Sequence, residues 1–279
     1  MRVVLRIGAV LTALCLAGGS AEAIIMRHDV DERGYLQLGE AHRQILVQLG
    51  LYAEEDHSPM LYSGMGTLIA PDWVVTAAHA TEYMLQTPPP EGGVRHVFIK
   101  GRGYEVAEII PHPAYDGATY ANDIALIHLA RAVRDPHPAC VYEAGDESGK
   151  VVTLVGTGYQ GNGRDGPGEH PDGALRGATV RVDTADGATL TWRFRAPGER
   201  GVTPLEGISG PGDSGGPALI ETPAGYCIAG VSSAQRIEVQ VGAAEGAHPQ
   251  GEGHYGVTEV YTRVSQFAPW IRQVMAERR

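Results

Sequence analysis

The sequence predicts an all-β protein that ends in one helix, and its composition and patterning support this. The chain of 279 residues contains 38 glycines and only 6% aromatic residues, which suits many turns between short strands. Short apolar runs recur along the chain, separated by glycine, proline and aspartate. Near the C-terminus, Phe267, Trp270, Ile271 and Val274 fall on one helical face, and we expect Ser265 to cap that helix.

Strands are predicted along most of the chain between the N-terminus and this helix. A short helix is expected at 41–44, and the glycine-rich segment 156–177 is expected to be a long exposed loop. The proline-rich segment 131–139 is the expected linker between two halves. The predicted strands lie at 45–49, 64–69, 73–78, 94–100, 105–110, 124–129, 151–156, 179–182, 189–195, 218–221, 227–231 and 260–264.

The charge balance and the spacing of polar residues exclude several kinds of function. The formal net charge is −11 at pH 7, which argues against nucleic acid as a partner. The histidines lack zinc-ligand spacing, and Asp165 and Glu169 lack the regular spacing of a calcium loop. We therefore predict neither a metal site nor a cofactor.

Residues 1–23 have the pattern of a secretory signal peptide. A positively charged start precedes a short apolar core over 7–17, and Ala21 and Ala23 supply small side chains at the cleavage site. A membrane anchor is the alternative, but the core is short for a span, and no later apolar run has membrane length. We predict a secreted or periplasmic protein that has no membrane association once the signal is removed.

A glycine-rich string carries the strongest chemical signal. The string Gly-Asp-Ser-Gly-Gly-Pro at 212–217 places Ser214 between glycines, directly after an acid. A serine hydroxyl becomes a good nucleophile when a base takes its proton, and glycine lets a substrate approach the backbone closely. The string alone fits a glycine-rich turn without catalytic function, the nucleophile elbow of an α/β-hydrolase, or the nucleophile loop of a serine peptidase.

The order of two further residues narrows this choice. His79 ends one apolar run and Asp123 opens another, so the chain order is His, Asp, Ser. An α/β-hydrolase has the order Ser, acid, His and needs βαβ alternation, which the short strands do not show. The order found here is that of chymotrypsin. From about Met65 to the C-terminus, the sequence therefore resembles the trypsin/chymotrypsin-like serine peptidase family.

This resemblance implies two six-stranded antiparallel β-barrels followed by a C-terminal helix. Barrel one would span about 24–135, barrel two about 136–264, and the helix 265–279. The implied activity is that of a secreted, monomeric serine endopeptidase, which hydrolyses protein or peptide substrates through an acyl-enzyme intermediate. A catalytically silent binding protein on the same fold and a serine esterase are the alternatives. The lack of cysteines around the histidine loop fits a bacterial-type member.

The resemblance also assigns roles residue by residue. Ser214 would be the nucleophile, His79 the general base and then acid, and Asp123 the residue that orients the imidazole. The backbone N–H groups of Gly212 and Ser214 would form the oxyanion hole. Ser232 matches the family's serine that lines the substrate strand and supports the aspartate.

Removal of the signal would expose Ile24 as a new apolar N-terminus. In the resembled family such an N-terminus folds inward, and its ammonium pairs with the acid beside the nucleophile, here Asp213. We expect signal peptidase itself to create it; the alternative is a ragged tail followed by a second processing event. The interval from Ile24 to His79 is longer than usual for the family, which predicts an insertion between them.

The resemblance leaves the substrate preference open. Ile208 stands where trypsin-like relatives carry the aspartate at the base of the specificity pocket, so that basis for preferring lysine or arginine is missing. Ala234 stands where a glycine is common, beside Ser232 in the pocket wall. Glu259 aligns with a glycine that lines the pocket. Its carboxylate is expected to fill part of the pocket and accept a basic side chain; the alternative is that it points to solvent.

The cysteines predict a disulfide bond. Cys15 leaves with the signal peptide, and Cys140 and Cys227 remain as an even pair in an exported protein. The resemblance places Cys140 in the connector between the barrels and Cys227 on a strand of the second barrel. We expect a bond between them; two buried thiols are the alternative.

Overall fold

The computed structural model describes residues 24–52, 59–87, 94–236 and 251–278. The predicted signal peptide, residues 1–23, lies outside these ranges. The described chain consists mainly of short strands, with three helices among its elements. The predicted all-β class with a C-terminal helix is therefore confirmed.

The first half of the chain forms a closed barrel of six strands, in the order β2-β3-β4-β7-β6-β5. Every neighbouring pair in this barrel is antiparallel. The elements in chain order are β1 (Ile25–Met26), α1 (Glu32–Ala41), β2 (Leu46–Tyr52), β3 (Pro59–Ala70), β4 (Trp73–Thr76), α2 (Ala78–Gln86), β5 (His96–Ile99), β6 (Arg102–Pro111) and β7 (Ala125–Leu129).

The second half forms a larger sheet, in the order β12-β9-β16-β17-β18-β14-β13, with β8 paired to β17. This sheet has eight strands, more than the six predicted for the second barrel. Its elements, with those of a smaller sheet, are β8 (Cys140–Val141), β9 (Val151–Gly156), β10 (Tyr159–Asn162), β11 (Gly166–Pro171), β12 (Arg176–Arg181), β13 (Thr184–Asp186), β14 (Thr189–Arg193), β15 (Gly207–Ile208), β16 (Pro217–Thr222), β17 (Gly225–Arg236), β18 (Thr258–Arg263) and α3 (Val264–Glu277).

The N-terminal segment packs on the second half. Strand β1 lies between β10 and β15 in a four-stranded sheet, parallel to the first and antiparallel to the second. Helix α1 packs on β12, and the buried Arg176 side chain bonds Glu32 at 2.8 Å and Asp172 at 2.9 Å. The segment 24–41, expected within the first barrel, is therefore attached to the second half by strand pairing and by the ion pair between Glu32 and Arg176.

Two local predictions differ from the structure. The helix expected at 41–44 is the earlier helix α1, and the expected loop 156–177 contains the β10–β11 hairpin. A Cβ added at Gly161 would lie 2.3 Å from the Gly166 carbonyl oxygen, so these strands approach closely because they are rich in glycine. Glycine has a low propensity for strands. The hydrogen bonds between β10 and β1 therefore help to stabilise this hairpin.

Helix α3 packs on β17 and β8, and the buried Phe267, Ile271 and Val274 on its predicted apolar face belong to the same apolar cluster as the first barrel. The predicted cap is wrong. The N-cap position is Arg263, which makes no side-chain cap bond, and Ser265 donates instead to Glu147 at 2.6 Å. Ser265 lies within the first turn because β18 runs directly into the helix. Across the described ranges, the helices are all too short or too polar to cross a membrane.

The predicted disulfide bond is confirmed. Cys140 in β8 and Cys227 in β17 are bonded, with their Cα atoms 4.2 Å apart. The two strands run parallel with these residues directly opposite each other. The bond therefore ties the segment that leaves the first barrel to a central strand of the second half.

Candidate active site

His79 and Asp123 meet because their strands are neighbours. Strand β4 pairs with β7 in antiparallel fashion, with Thr76 opposite Ala125. The residues that follow β4 and those that precede β7 therefore lie at the same edge of the barrel. His79 Nδ1 is 2.6 Å from Asp123 Oδ2, and the His79 backbone N–H donates to Asp123 Oδ1 at 2.9 Å. The two hydrogen bonds fix both the ring and the backbone of the histidine against one carboxylate.

Asp123 is fully buried, and hydroxyl groups support it. Ser233 Oγ donates to its Oδ2 at 2.6 Å, and Thr262 Oγ1 donates to its backbone carbonyl oxygen at 2.7 Å. A buried carboxylate is costly unless hydrogen bonds satisfy it. Ser233 supplies such a bond, and both donors come from the second half of the chain. The charged carboxylate requires a proton on His79 Nδ1, which leaves Nε2 as the ring nitrogen able to accept a proton.

The serine that supports Asp123 is Ser233, and the prediction of Ser232 for this role is corrected. Along the β17–β18 ladder, Ser232 pairs with Tyr261 and Ala234 pairs with Val260, so Ser233 is the extra residue of a bulge. A bulge redirects the side chain of the extra residue. Here the bulge turns Ser233 towards Asp123. Ser232 Oγ instead lies 3.2 Å from the hydroxyl of Ser209.

The loop that carries Ser214 packs on the residues around His79. The Met65 backbone N–H donates to the Ser214 carbonyl oxygen at 2.7 Å. A Cβ added at Gly64 would lie 2.6 Å from that oxygen and 3.0 Å from Ala80 Cβ, so this glycine separates the serine loop from the residue after His79. Ser214 itself is half-buried. The fold thus brings together three segments that lie far apart in the chain.

Two N–H groups in the nucleophile loop have no acceptor within the part of the chain that the structure describes. Among the described residues, Asp213, Gly215 and Gly216 donate their N–H groups to backbone carbonyls, whereas those of Gly212 and Ser214 make no hydrogen bond. Gly212 has a φ of 92°, in the region that favours glycine. Two unused donors beside a half-buried serine are the arrangement that binds an oxyanion.

Asp213 is buried beneath this loop without a cationic partner in the described part of the chain. Its oxygens accept hydrogen bonds from the backbone N–H of Gly158 at 3.4 Å and of Gly210 at 3.1 Å. Burial raises the pKa of Asp213 well above its ordinary value. Ile24 is fully buried beside this region, where Ile25 pairs with Ile208. In the full-length chain the Ile24 nitrogen is an amide, because it follows Ala23.

The residues predicted to line the specificity pocket lie together. Ile208 and Glu259 are fully buried, Ser232 is 4% exposed, and Ala234 follows the bulge. The Glu259 carboxylate accepts hydrogen bonds from the Ser209 backbone N–H at 2.8 Å and from its hydroxyl at 2.7 Å. The alternative that Glu259 points to solvent is therefore wrong. Since the side chain has no exposed surface, it also offers no direct contact to an incoming ligand.

Three residues near the site were not found from the sequence. Ser233 and Ser209 were hidden because serines are common beside strands, and only the bulge and the buried glutamate distinguish them. Tyr120 has a φ of 57° and its ring lies edge-on to His79, with centroids 5.2 Å apart. Tyr120 lies three residues before Asp123 in the sequence, and this closeness could have marked it as a residue near the site. In the described ranges, no group of three or more acidic, histidine or cysteine side chains is placed to hold a metal ion.

Comparisons with known proteins agree with this geometry. The family model described as Trypsin matches residues 43–271. The chain is 31% identical over 225 residues to Serine protease 56 of Mus musculus, which covers 76% of this chain and 34% of that protein. It is 31% identical over 219 residues to Trypsin of Phaedon cochleariae, which covers 75% of this chain and 77% of that protein. The chain thus spans about a third of the length of the Mus musculus protein and most of the Phaedon cochleariae protein.

Proposed function

The chain belongs to the trypsin family of serine-type endopeptidases, and from this premise we propose that it hydrolyses peptide bonds in protein or peptide substrates. The proposed catalytic residues are Ser214, His79 and Asp123. The observation that carries the proposal is the pair of hydrogen bonds between His79 and the buried Asp123, at the edge where the Ser214 loop packs.

The first chemical step is attack by Ser214 on the scissile carbonyl. His79 Nε2 takes the hydroxyl proton, and Asp123 stabilises the imidazolium that forms. The N–H groups of Gly212 and Ser214 hold the negative oxygen of the tetrahedral intermediate. His79 then gives its proton to the leaving amine, and an acyl-enzyme forms on Ser214. Water attacks this ester with the same base, and the carboxylic acid product leaves.

We also propose that the active enzyme begins at Ile24, after export directed by residues 1–23. The buried position of Ile24 and the strand pairing of Ile25 support an inserted N-terminus. A free ammonium at Ile24 would supply the positive charge that Asp213 lacks among the described residues of the uncut chain. N-terminal sequencing of the secreted protein tests this step, and an active enzyme with any other first residue would refute it.

The triad is tested by labelling with a fluorophosphonate, which modifies an activated serine. The secreted wild-type protein should be labelled and should hydrolyse peptide amides, whereas Ser214→Ala should do neither while keeping its folded circular dichroism spectrum. Ser148→Ala, which changes an exposed serine, is the matched control and should behave as wild type. Equal labelling of the Ser214→Ala variant would refute the assignment. Absence of labelling in a folded wild-type protein would favour the silent binding protein, and turnover of esters without amides would favour the esterase.

A further inference from the structure

The structure contains a cavity whose lining includes none of the proposed catalytic or specificity residues. Its volume is about 480 Å³, and the residues that line it are His28, Gly163, Arg164, Ala196, Pro197 and Tyr255. They come from the stretch after β1, the loop between β10 and β11, the stretch after β14 and the stretch before β18. The volume lies in the range that accommodates a small organic molecule.

Hydrogen bonds and ring packing join these segments, so the cavity is formed by the fold itself. The Gly163 backbone N–H donates to the Met26 carbonyl oxygen at 2.9 Å, and the Tyr255 backbone N–H donates to the Gly163 carbonyl oxygen at 2.9 Å. A Cβ added at Gly163 would lie 2.5 Å from the Tyr255 ring and 2.6 Å from the Phe194 ring, so this position needs glycine. The walls are therefore in place before a ligand binds.

Arg164 determines which way the protons of the polar residues point. Its Nη2 lies 2.8 Å from His28 Nε2. Because a guanidinium has only donors, Nε2 must be the acceptor. The ring proton is then on His28 Nδ1, which donates to the Tyr255 hydroxyl oxygen at 2.8 Å. The His28 backbone N–H donates to the same oxygen at 3.0 Å, so both lone pairs of this hydroxyl are used.

Donors at the cavity are consequently left without an acceptor in the described part of the chain. The Tyr255 hydroxyl accepts two hydrogen bonds, and its own proton is unused. Burial raises the pKa of Tyr255, so the hydroxyl keeps this proton at neutral pH. The Arg164 side chain donates only to His28 and forms no ion pair with a described residue. Arg164 and His28 are exposed and Tyr255 is half-buried, so a ligand can reach them from solvent.

The acids near the cavity do not satisfy these donors. None of the lining residues is an acid. The acids next to them in the sequence have other partners: Asp29 pairs with Arg27, Asp165 accepts from the Asn162 side chain, and Glu199 pairs with Arg193. The cavity therefore presents a positive charge and a hydroxyl proton with no negative charge in its lining, which suits an anion.

The shape and polarity of the lining select among anions. The planar guanidinium of Arg164 matches the geometry of a carboxylate. Ala196, Pro197 and the ring of Tyr255 supply an apolar surface, which favours an organic body over a fully hydrated inorganic ion.

We propose that this cavity binds a small organic carboxylate, which pairs with the Arg164 guanidinium and accepts the proton of the Tyr255 hydroxyl. His28 is a positioning residue, because it accepts from Arg164 and donates to Tyr255, which fixes both groups at the cavity. The site does not depend on the proposed peptidase activity, since the triad contributes nothing to its lining.

Benzoate is the probe, and benzamide, which has nearly the same shape without the charge, is its control. Each is titrated into the secreted protein carrying Ser214→Ala, with calorimetry to measure binding and NMR to follow the histidine ring protons. We expect saturable binding of benzoate together with a shift of the His28 ring signal, which is identified by its loss in His28→Gln. Benzamide should bind at least about tenfold more weakly, as for loss of a hydrogen bond between charged groups.

Two variants test the groups that contact the ligand. Arg164→Gln removes the charge and should weaken benzoate binding at least about tenfold. Tyr255→Phe keeps the ring but removes the proton, and should weaken binding by about tenfold. The exposed residues Arg131 and Tyr83 provide the matched controls Arg131→Gln and Tyr83→Phe, which should bind benzoate as the parent protein does. Circular dichroism checks that each variant is folded.

Several outcomes would overturn the inference. These are no saturable binding of benzoate, equal binding of benzamide, or unchanged binding in folded Arg164→Gln, which would place benzoate elsewhere, such as at the oxyanion donors. Inorganic phosphate that binds as tightly as benzoate and competes with it would show a general anion site and would also contradict the proposal. None of these measurements requires peptide hydrolysis, so failure here leaves the proposed function untouched, and loss of the proposed function leaves this site untouched.

Discussion

Replacement of Glu259 by glutamine should change the stability of the fold in opposite directions at acid and alkaline pH. Burial raises the pKa of Glu259 from 4.5 to about 7. Between these two values the folded state binds a proton that the unfolded state has lost, so stability falls as pH rises. At about 1.4 kcal/mol for each pH unit, the ionised carboxylate costs the folded state about 3 kcal/mol at pH 8 and under about 1 kcal/mol at pH 5.

Glutamine removes this penalty but weakens the hydrogen bonding. In the wild-type protein, Ser209 and Gln235 donate hydrogen bonds to the Glu259 carboxylate, and both carboxylate oxygens accept. The NH₂ group of glutamine cannot accept a hydrogen bond, so at least one of these bonds is lost. Loss of such bonds costs about 1 to 2 kcal/mol. We therefore expect Glu259→Gln to be more stable than wild type at pH 8 by about 1 to 2 kcal/mol and less stable at pH 5 by up to about 1 kcal/mol.

Urea unfolding at pH 5 and pH 8 measures both differences. The proteins should carry Ser214→Ala to prevent self-digestion and should keep the disulfide bond oxidised. Asp213 is present in both proteins, but the charge of Glu259 contributes to its raised pKa, so the comparison reports the glutamate together with this coupling. The loss of hydrogen bonds lowers the free energy of unfolding equally at both pH values. The effect of the substitution on that free energy should therefore differ between pH 8 and pH 5 by about 2 to 3 kcal/mol, which is the difference in the ionisation penalty. An equal effect of the substitution at both pH values would refute the conclusion that Glu259 is buried and ionises between pH 5 and pH 8.

Three other substitutions test separate parts of the structure. Ser233→Ala should lower kcat/KM roughly tenfold, because the buried aspartate loses a charged hydrogen bond, and a larger effect from Ser232→Ala would restore the original assignment. Gly215→Ala should abolish fluorophosphonate labelling, since the residue has a φ of 81° and a Cβ would lie 2.2 Å from a threonine hydroxyl; a labelled variant would contradict this packing. Replacing Cys140 and Cys227 by alanine should lower the free energy of unfolding by about 2 to 5 kcal/mol in urea titrations, and an unchanged midpoint would show that the bond adds no stability.

The sequence alone identified the features that depend on local chemistry. The strand at 151–156 was predicted with the bounds that the structure has. The disulfide followed from an even number of cysteines in a chain with a predicted export signal. The proposed catalytic residues followed from their order and from the glycines around Ser214. These features were readable because a residue's type and its immediate neighbours carry the information, whatever lies opposite it in the fold.

The tertiary structure decided the features that depend on a partner elsewhere in the chain. Because of a bulge at Ser233, that serine and not Ser232 donates a hydrogen bond to Asp123. The β10–β11 hairpin exists although its glycine-rich sequence has little strand propensity, because β1 pairs with it. The burial of Glu259 depends on Ser209, 50 residues away in the chain. A strand's register and the burial of a charge are set by the opposing surface, and that surface forms only when distant segments pack together.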